Sequence, residues 1–145
     1  MISILVTGSS GRMGQAVQEA GTQNPDTCVG ATHDQGQELY PALAKCDVVI
    51  DFSHHGFTST LLAEAVANNK PVVIGTTGHT DLERQEIMDA AASIPIVFAS
   101  NYSVGVNTLF WLTRKAAQLL GGSCDMEEME MHPRHKIADP SGTAR

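Results

Sequence analysis

Two histidines, an arginine and a lysine fall within five positions in His132-Pro133-Arg134-His135-Lys136. The chain then runs through Pro140 into Ser141-Gly142-Thr143. Cations at that density, followed by small residues with available backbone N–H groups, suit a small polyanion better than a hydrophobic core. Histidine and lysine are also the side chains that move protons near neutral pH. The plainer reading is a solvated basic loop ahead of a helix capped by Ser141, since charge clusters usually face water. The rest of the chain decides between the two.

A second constellation opens the sequence. The apolar run Ile2–Val6 ends at Thr7-Gly8-Ser9-Ser10-Gly11-Arg12-Met13-Gly14, and Asp34 stands 20 positions after Gly14. Glycines between a strand and a helix allow a tight turn, close backbone approach to a pyrophosphate, and close helix–strand packing. The helix N-terminus adds positive potential. An acidic residue at that distance is where the adenosine ribose hydroxyls of a dinucleotide are bound. The spacing here is G-x-x-G-x-x-G, a variant that says little without Asp34. The alternative is a plain βα turn with a solvated aspartate.

Other candidates carry less. His54 and His55 are adjacent on a loop, a poor arrangement for holding one ion, and no acidic or cysteine partner lies nearby in sequence. Cys28, Cys46 and Cys124 contain no C-x-x-C pair, so neither a disulfide framework nor a zinc site is indicated; buried free thiols are expected, and no metal.

These groups need a scaffold, and the apolar pattern supplies one. Strands are expected at 2–6, 27–32, 47–53, 70–74 and 94–99, alternating with helices at about 12–21, 38–45, 58–68 and 81–92. Val17 and Ala20 are expected to face the sheet from the first helix, and Leu82, Ile87 and Ala91 from the fourth. The order is that of an α/β, Rossmann-like, doubly wound parallel sheet. Its strands deliver loops 8–14, 34–35, 52–55, 75–78 and 99–102 to one edge. Beyond that, a long helix over 105–120, with Leu109, Leu112, Ala116, Leu119 and Leu120 buried, and a half-exposed strand over 124–131 read as the start of a second domain. One helix and one strand cannot make an independent core. The domains are therefore expected at 1–102 and 103–145, the second a truncated α+β domain.

The composition, 42% hydrophobic and 17% charged over 145 residues, is that of a globular chain able to build a core. A net charge of −7 argues against nucleic acid, which demands broad positive patches. The N-terminus has no basic region and its apolar run is too short for a signal peptide or a membrane span, so a reducing cytoplasm and no membrane are expected.

Taken together, Gly8–Gly14, Asp51-Phe52-Ser53, Ile74-Gly75-Thr76-Thr77-Gly78, Asn101-Tyr102-Ser103-Val104-Gly105-Val106-Asn107, His132–Lys136 and Pro140-Ser141-Gly142-Thr143-Ala144 resemble the 4-hydroxy-tetrahydrodipicolinate reductase (dihydrodipicolinate reductase) family of the diaminopimelate route to lysine. They follow the family's order from end to end. The resemblance implies an N-terminal nicotinamide-dinucleotide domain and a C-terminal domain that binds a cyclic dicarboxylate and forms a homotetramer. It implies that His132 is the proton donor/acceptor and Lys136 the second catalytic donor, with Pro133, Gly142 and Thr143 at the substrate. It assigns NADH or NADPH to Gly8, Ser9, Ser10, Gly11, Arg12, Met13, Asp34, Gly75, Thr76, Thr77, Ala99, Ser100, Asn101 and Tyr102.

The chain departs from the family in having proline at 133, where a second histidine is usual, and in reading Ala138-Asp139 where Asp-Ala is usual. The family's chains also continue past the position of Arg145. Asp34 would repel a 2′-phosphate, and Gln35 stands where NADPH users of such folds often place arginine. NADH is therefore expected to serve at least as well as NADPH. Two rivals remain from the sequence: a dinucleotide-binding module without catalysis, and another amino-acid dehydrogenase of related fold.

Overall fold

The computed structural model describes residues 1–127 and 129–131. Contacts divide the chain after Ala99, into a first unit, Met1–Ala99, and a second that starts at Ser100. In the first unit, β1 (Ile2–Thr7), α1 (Arg12–Gln23), β2 (Thr27–His33), α2 (Tyr40–Leu43), β3 (Val48–Asp51), α3 (His55–Ala67), β4 (Val72–Ile74), α4 (Asp81–Ala90) and β5 (Ile96–Phe98) alternate as expected. The five strands form one parallel sheet in the order β2-β1-β3-β4-β5.

The chain goes from β1 to β2 on one side and then returns to β3 on the other. Right-handed crossovers consequently put α1 on one face and α3 and α4 on the opposite face. The side chains agree. Alternate residues of β1 point to opposite faces. Ile4 meets α1 at Gly21, where an added Cβ would lie 3.5 Å from both Ile4 and Val29. Leu5 joins the main core with Leu43, Val49, Leu61, Ala65, Val72, Ile74 and Ile87, all essentially without exposure. The change of direction between β1 and β3 is where open α/β sheets form their ligand crevice.

Two helices sit differently from the expected phase. In α1 the buried positions are Gly14 and Gly21, with Val17 half-buried; Ala20 is exposed. At 100° per residue Ala20 lies about 120° around the helix from Gly14. In α4, Ile87 is buried and Ala90 packs on the core, whereas Leu82 is 80% exposed and Ala91 is exposed. Leu82 is about 140° from Ile87 by the same geometry, so it cannot share its face. Thr80 and Glu83 fix where this helix starts through a reciprocal capping box.

In the second unit α5 spans Val104–Leu120, and Ser103 caps it by accepting from the Val106 amide at 3.4 Å. None of its residues is buried: Leu109, Leu112, Ala116, Leu119 and Leu120 are all exposed, against expectation. Nor do the described residues of 124–131 form a strand, and Met126, Met129 and Met131 are exposed. The common reason is that amphipathic segments bury a face only against another layer. The described part of this unit holds one long helix, a short turn at Gly121–Ser123 and residues without regular structure.

Candidate functional site

The C-terminal ends of the parallel strands bring the glycine loop, Asp34, Phe52–His54 and Gly75–Gly78 to one edge of the first unit. Gly8 follows β1 with φ of +72°, a region that L side chains rarely adopt. A Cβ on Gly8 would also lie 2.5 Å from the Phe52 carbonyl oxygen. One on Gly14 would lie 2.1 Å from the Gly8 carbonyl, and one on Gly75 would lie 2.1 Å from the Phe52 ring. Each distance is below any real carbon contact; at Gly8 and Gly14 the obstacle is backbone, which makes glycine a steric requirement, while at Gly75 it is the Phe52 ring. Gly8 and Gly75 let the loop and the neighbouring strand close on Phe52, and Gly14 lets the helix close on the loop.

The start of α1 is left open. His54 caps α3 by accepting from the Gly56 amide through Nδ1, and Thr80 caps α4, but Gly11 offers α1 no side-chain cap. A helix N-terminus with uncapped amides is a ready anion site. Arg12 and Met13, in its first turn, are exposed.

Asp34 lies just past the end of β2 and faces this loop. Its carboxylate accepts from the Ser9 hydroxyl at 2.6 Å, and from the Ser10 amide and hydroxyl at 3.1 Å each. The Ser9 hydrogen bond above all, with help from those of Ser10, holds the Asp34 carboxyl below the usual carboxylate range. Between Asp34 and α3 lies an open cleft of about 1100 Å³, whose walls include Gly8, Ser10, Gly11, Tyr40, Phe52 and Phe57. His33 stacks on Phe57 with ring centres 5.0 Å apart and 13° between planes, and its Nε2 lies 3.0 Å from the Gln37 carbonyl. The cleft thus joins an anion site, a carboxylate and aromatic walls. Such a combination has the chemistry that a nucleotide's phosphates, ribose and base call for.

Of the other expected contacts, Gly75 and Thr77 lie at the same edge, but the Thr76 hydroxyl points inward and donates to Asp51 Oδ2 at 2.7 Å. Ala99 closes the first unit, its amide donating to the Ile74 carbonyl at 3.3 Å. Ser100, Asn101 and Tyr102 belong to the second unit, where Asn101 Oδ1 accepts from the Ser103 amide at 2.8 Å. His132, Pro133, Lys136, Gly142 and Thr143 lie outside the described residues.

His54 and His55 have local partners: His55 Nδ1 lies 2.9 Å from Glu83, and this contact, with the Thr80 amide, pulls the Glu83 carboxyl down to about 2. Cys46 is buried, which pushes its thiol up, while Cys124 is exposed, against the expectation of burial. The cleft walls Phe57 and Tyr40 and the buried carboxylate Asp51 are not among the residues expected from spacing. The turn after β3 was a signal for Phe57, because its helix starts at the same sheet edge. Nothing in the local pattern marks Tyr40.

Residues 2–102 match the family model described as dihydrodipicolinate reductase, N-terminus, and residues 105–145 match dihydrodipicolinate reductase, C-terminus. The chain is 89% identical over 145 residues to a 4-hydroxy-tetrahydrodipicolinate reductase of Akkermansia muciniphila, matching all of this chain and 59% of that relative. To the protein of the same name in Zymomonas mobilis it is 42% identical over 149 residues, matching 99% of this chain and 59% of the relative. Among solved structures, a dipicolinate-bound dihydrodipicolinate reductase from Paenisporosarcina sp. TG-14 superimposes with a TM-score of 0.72 at 26% identity, over 99% of this chain and 63% of that one. The chain therefore spans about six-tenths of the length of the relatives it matches. With a parallel sheet that presents a glycine cradle and an acidic strand end, and both family models matched in order, this chain belongs to the dihydrodipicolinate reductase family.

Proposed function

We propose that the protein is a nicotinamide-dinucleotide-dependent reductase of 4-hydroxy-tetrahydrodipicolinate, working in the cytoplasm in the diaminopimelate route to lysine. The observation that carries this reading is the cradle in which Gly8 and Gly75 close on Phe52 and Gly14 closes on Gly8, with Asp34 at its rim, in a chain so close to relatives of that name. The cradle has no room for a Cβ, its helix has no side-chain cap, and its acidic residue stands where ribose hydroxyls need an acceptor. When bound, the dinucleotide supplies a hydride.

The chain's own residues do the rest. The uncapped amides after Gly11 hold the pyrophosphate, and Asp34 accepts from ribose hydroxyls. NADH is favoured at least equally with NADPH, because a 2′-phosphate would face the Asp34 carboxylate and finds Gln35 where an arginine would help. Gly75, Thr77 and the Ala99–Tyr102 segment take the nicotinamide half. His132 gives the proton that an electron-rich ring requires after reduction, and Lys136 places positive charge beside the substrate. Gly142 and Thr143 hold a carboxylate, while Pro133 cannot make the contact that the family's usual histidine offers. The dipicolinate in the Paenisporosarcina homologue supports a cyclic dicarboxylate as substrate. The assembly is a homotetramer.

A direct test adds the cyclic substrate to protein and NADH and follows loss of NADH absorbance. Substrate-dependent oxidation is expected, abolished in His132→Ala. Tight NADH binding with no oxidation by the whole gene product would leave the non-catalytic binding module as the better description.

A further inference from the structure

Asp51 ends β3 in the middle of the sheet and is fully buried. Positions like this in a parallel sheet are normally apolar, because both faces are covered. A carboxylate there is costly unless its lone pairs are occupied. They are: Oδ1 accepts from the Thr7 hydroxyl at 2.6 Å, the Ser53 hydroxyl at 2.5 Å and the Ser53 amide at 3.2 Å. Oδ2 accepts from the Thr76 hydroxyl at 2.7 Å.

The partners sit on three different segments. Thr7 is the last residue of β1, in register with Asp51 and next to Gly8. Ser53 is in the turn that carries Phe52, and Thr76 follows Gly75. One side chain thus ties together the parts that form the two sides of the cradle. Their spacing is also the dimension on which Gly8 and Gly75 close against Phe52. An apolar residue would serve the stability of the core at least as well as a buried carboxylate does. What it could not do is link three loops.

We propose that Asp51 is the positioning residue of the cradle, setting the gap between the glycine loop and the Gly75–Thr77 segment and so the fit of the dinucleotide. This rests on the dinucleotide reading above. Occupancy of the acceptor sites matters in this role, more than negative charge. In Asp51→Asn, Oδ1 still accepts from Thr7 and Ser53, and the amide donates to a Thr76 hydroxyl that turns from donor to acceptor.

The test is a fluorescence titration of the full chain with NADH, run beside a thermal melt of each variant. Wild type binds. Asp51→Asn stays within about threefold of it, while Asp51→Ala and Thr76→Val each weaken binding by about tenfold or more. Ile87→Val, a core deletion on α4 away from the cradle, lowers the melting temperature and leaves the dissociation constant unchanged. The proposal is overturned if folded Asp51→Ala binds like wild type, or if affinity falls equally in Ile87→Val at a matched loss of melting temperature. Should Asp51→Ala not fold, Thr76→Val decides, and wild-type affinity there overturns the idea. A wild-type chain that does not bind NADH removes the dinucleotide reading first, and this one with it.

Discussion

The Asp34 carboxylate accepts a hydrogen bond from the Ser9 hydroxyl at 2.6 Å and thereby joins the end of β2 to the glycine loop after β1. The acceptor proposed for ribose hydroxyls is held beside the amides proposed for the pyrophosphate. Asp34→Ala is expected to weaken NADH by about ten- to a hundredfold, the scale of a hydrogen bond to a charged group. NADPH should lose less, because a like charge beside its phosphate disappears too. Parallel titrations with the two cofactors read the ratio. An equal loss for both would show that Asp34 only shapes the loop.

Gly14→Ala places a Cβ 2.1 Å from the Gly8 carbonyl, which is backbone and cannot swing aside. A loss of about 1–3 kcal/mol or more is expected, as for other overpacked sites. Gly36→Ala is the informative contrast. Its Cβ would meet nothing within 4 Å, so only the strain of φ at +87° remains. Denaturant melts should rank Gly14→Ala clearly below Gly36→Ala; the reverse order would contradict the packing described.

Thr80 and Leu82 separate capping from burial on α4. Thr80→Ala removes the cap and should cost about 1 kcal/mol. Leu82→Ser should change stability by less than about 0.5 kcal/mol, since that side chain is 80% exposed. A large loss at Leu82 would mean that α4 is rotated from the phase set by Ile87.

Acid should destabilise the first unit in two stages. Burial pushes the His79 imidazole below its ordinary 6.5, with Thr58 Oγ1 2.8 Å from Nε2. The unfolded chain therefore binds more protons just below 6.5, and stability falls as pH drops through that value. Glu83, drawn from 4.5 to about 2 in the fold, adds a second loss as pH falls through 4.5 toward 2. Melting temperatures taken across this range check both stages. In His79→Gln the first should vanish and the second should stay. Stability that rises on acidification from neutral pH would contradict a lowered His79 pKa in the fold.

What the sequence made legible follows from how local each cause is. The strands could be read because continuous apolar runs such as Val48-Val49-Ile50 are intrinsic to a sheet covered on both faces. Asp34 could be read because a βαβ unit fixes its distance from the glycine turn. The role of Asp51 could not, because its partners are about 44 residues before and 25 after in sequence and meet only in the folded sheet. Leu82 and Ala20 misled because hydrophobicity alone does not set a helix's phase when glycines or a capping box place the helix. The apolar face of α5 is plain in the sequence, but whether a face is buried depends on a layer that its own residues do not encode.

The proposed activity requires that the glycine cradle hold a nicotinamide dinucleotide. Calorimetric titration of the wild-type chain with NADH, repeated with Gly8→Ala, tests that most directly. Saturable one-to-one binding by wild type, with at least a tenfold loss in folded Gly8→Ala, is the predicted result. Equal affinity in the two proteins, or no heat of binding from the wild type up to millimolar NADH, would contradict it.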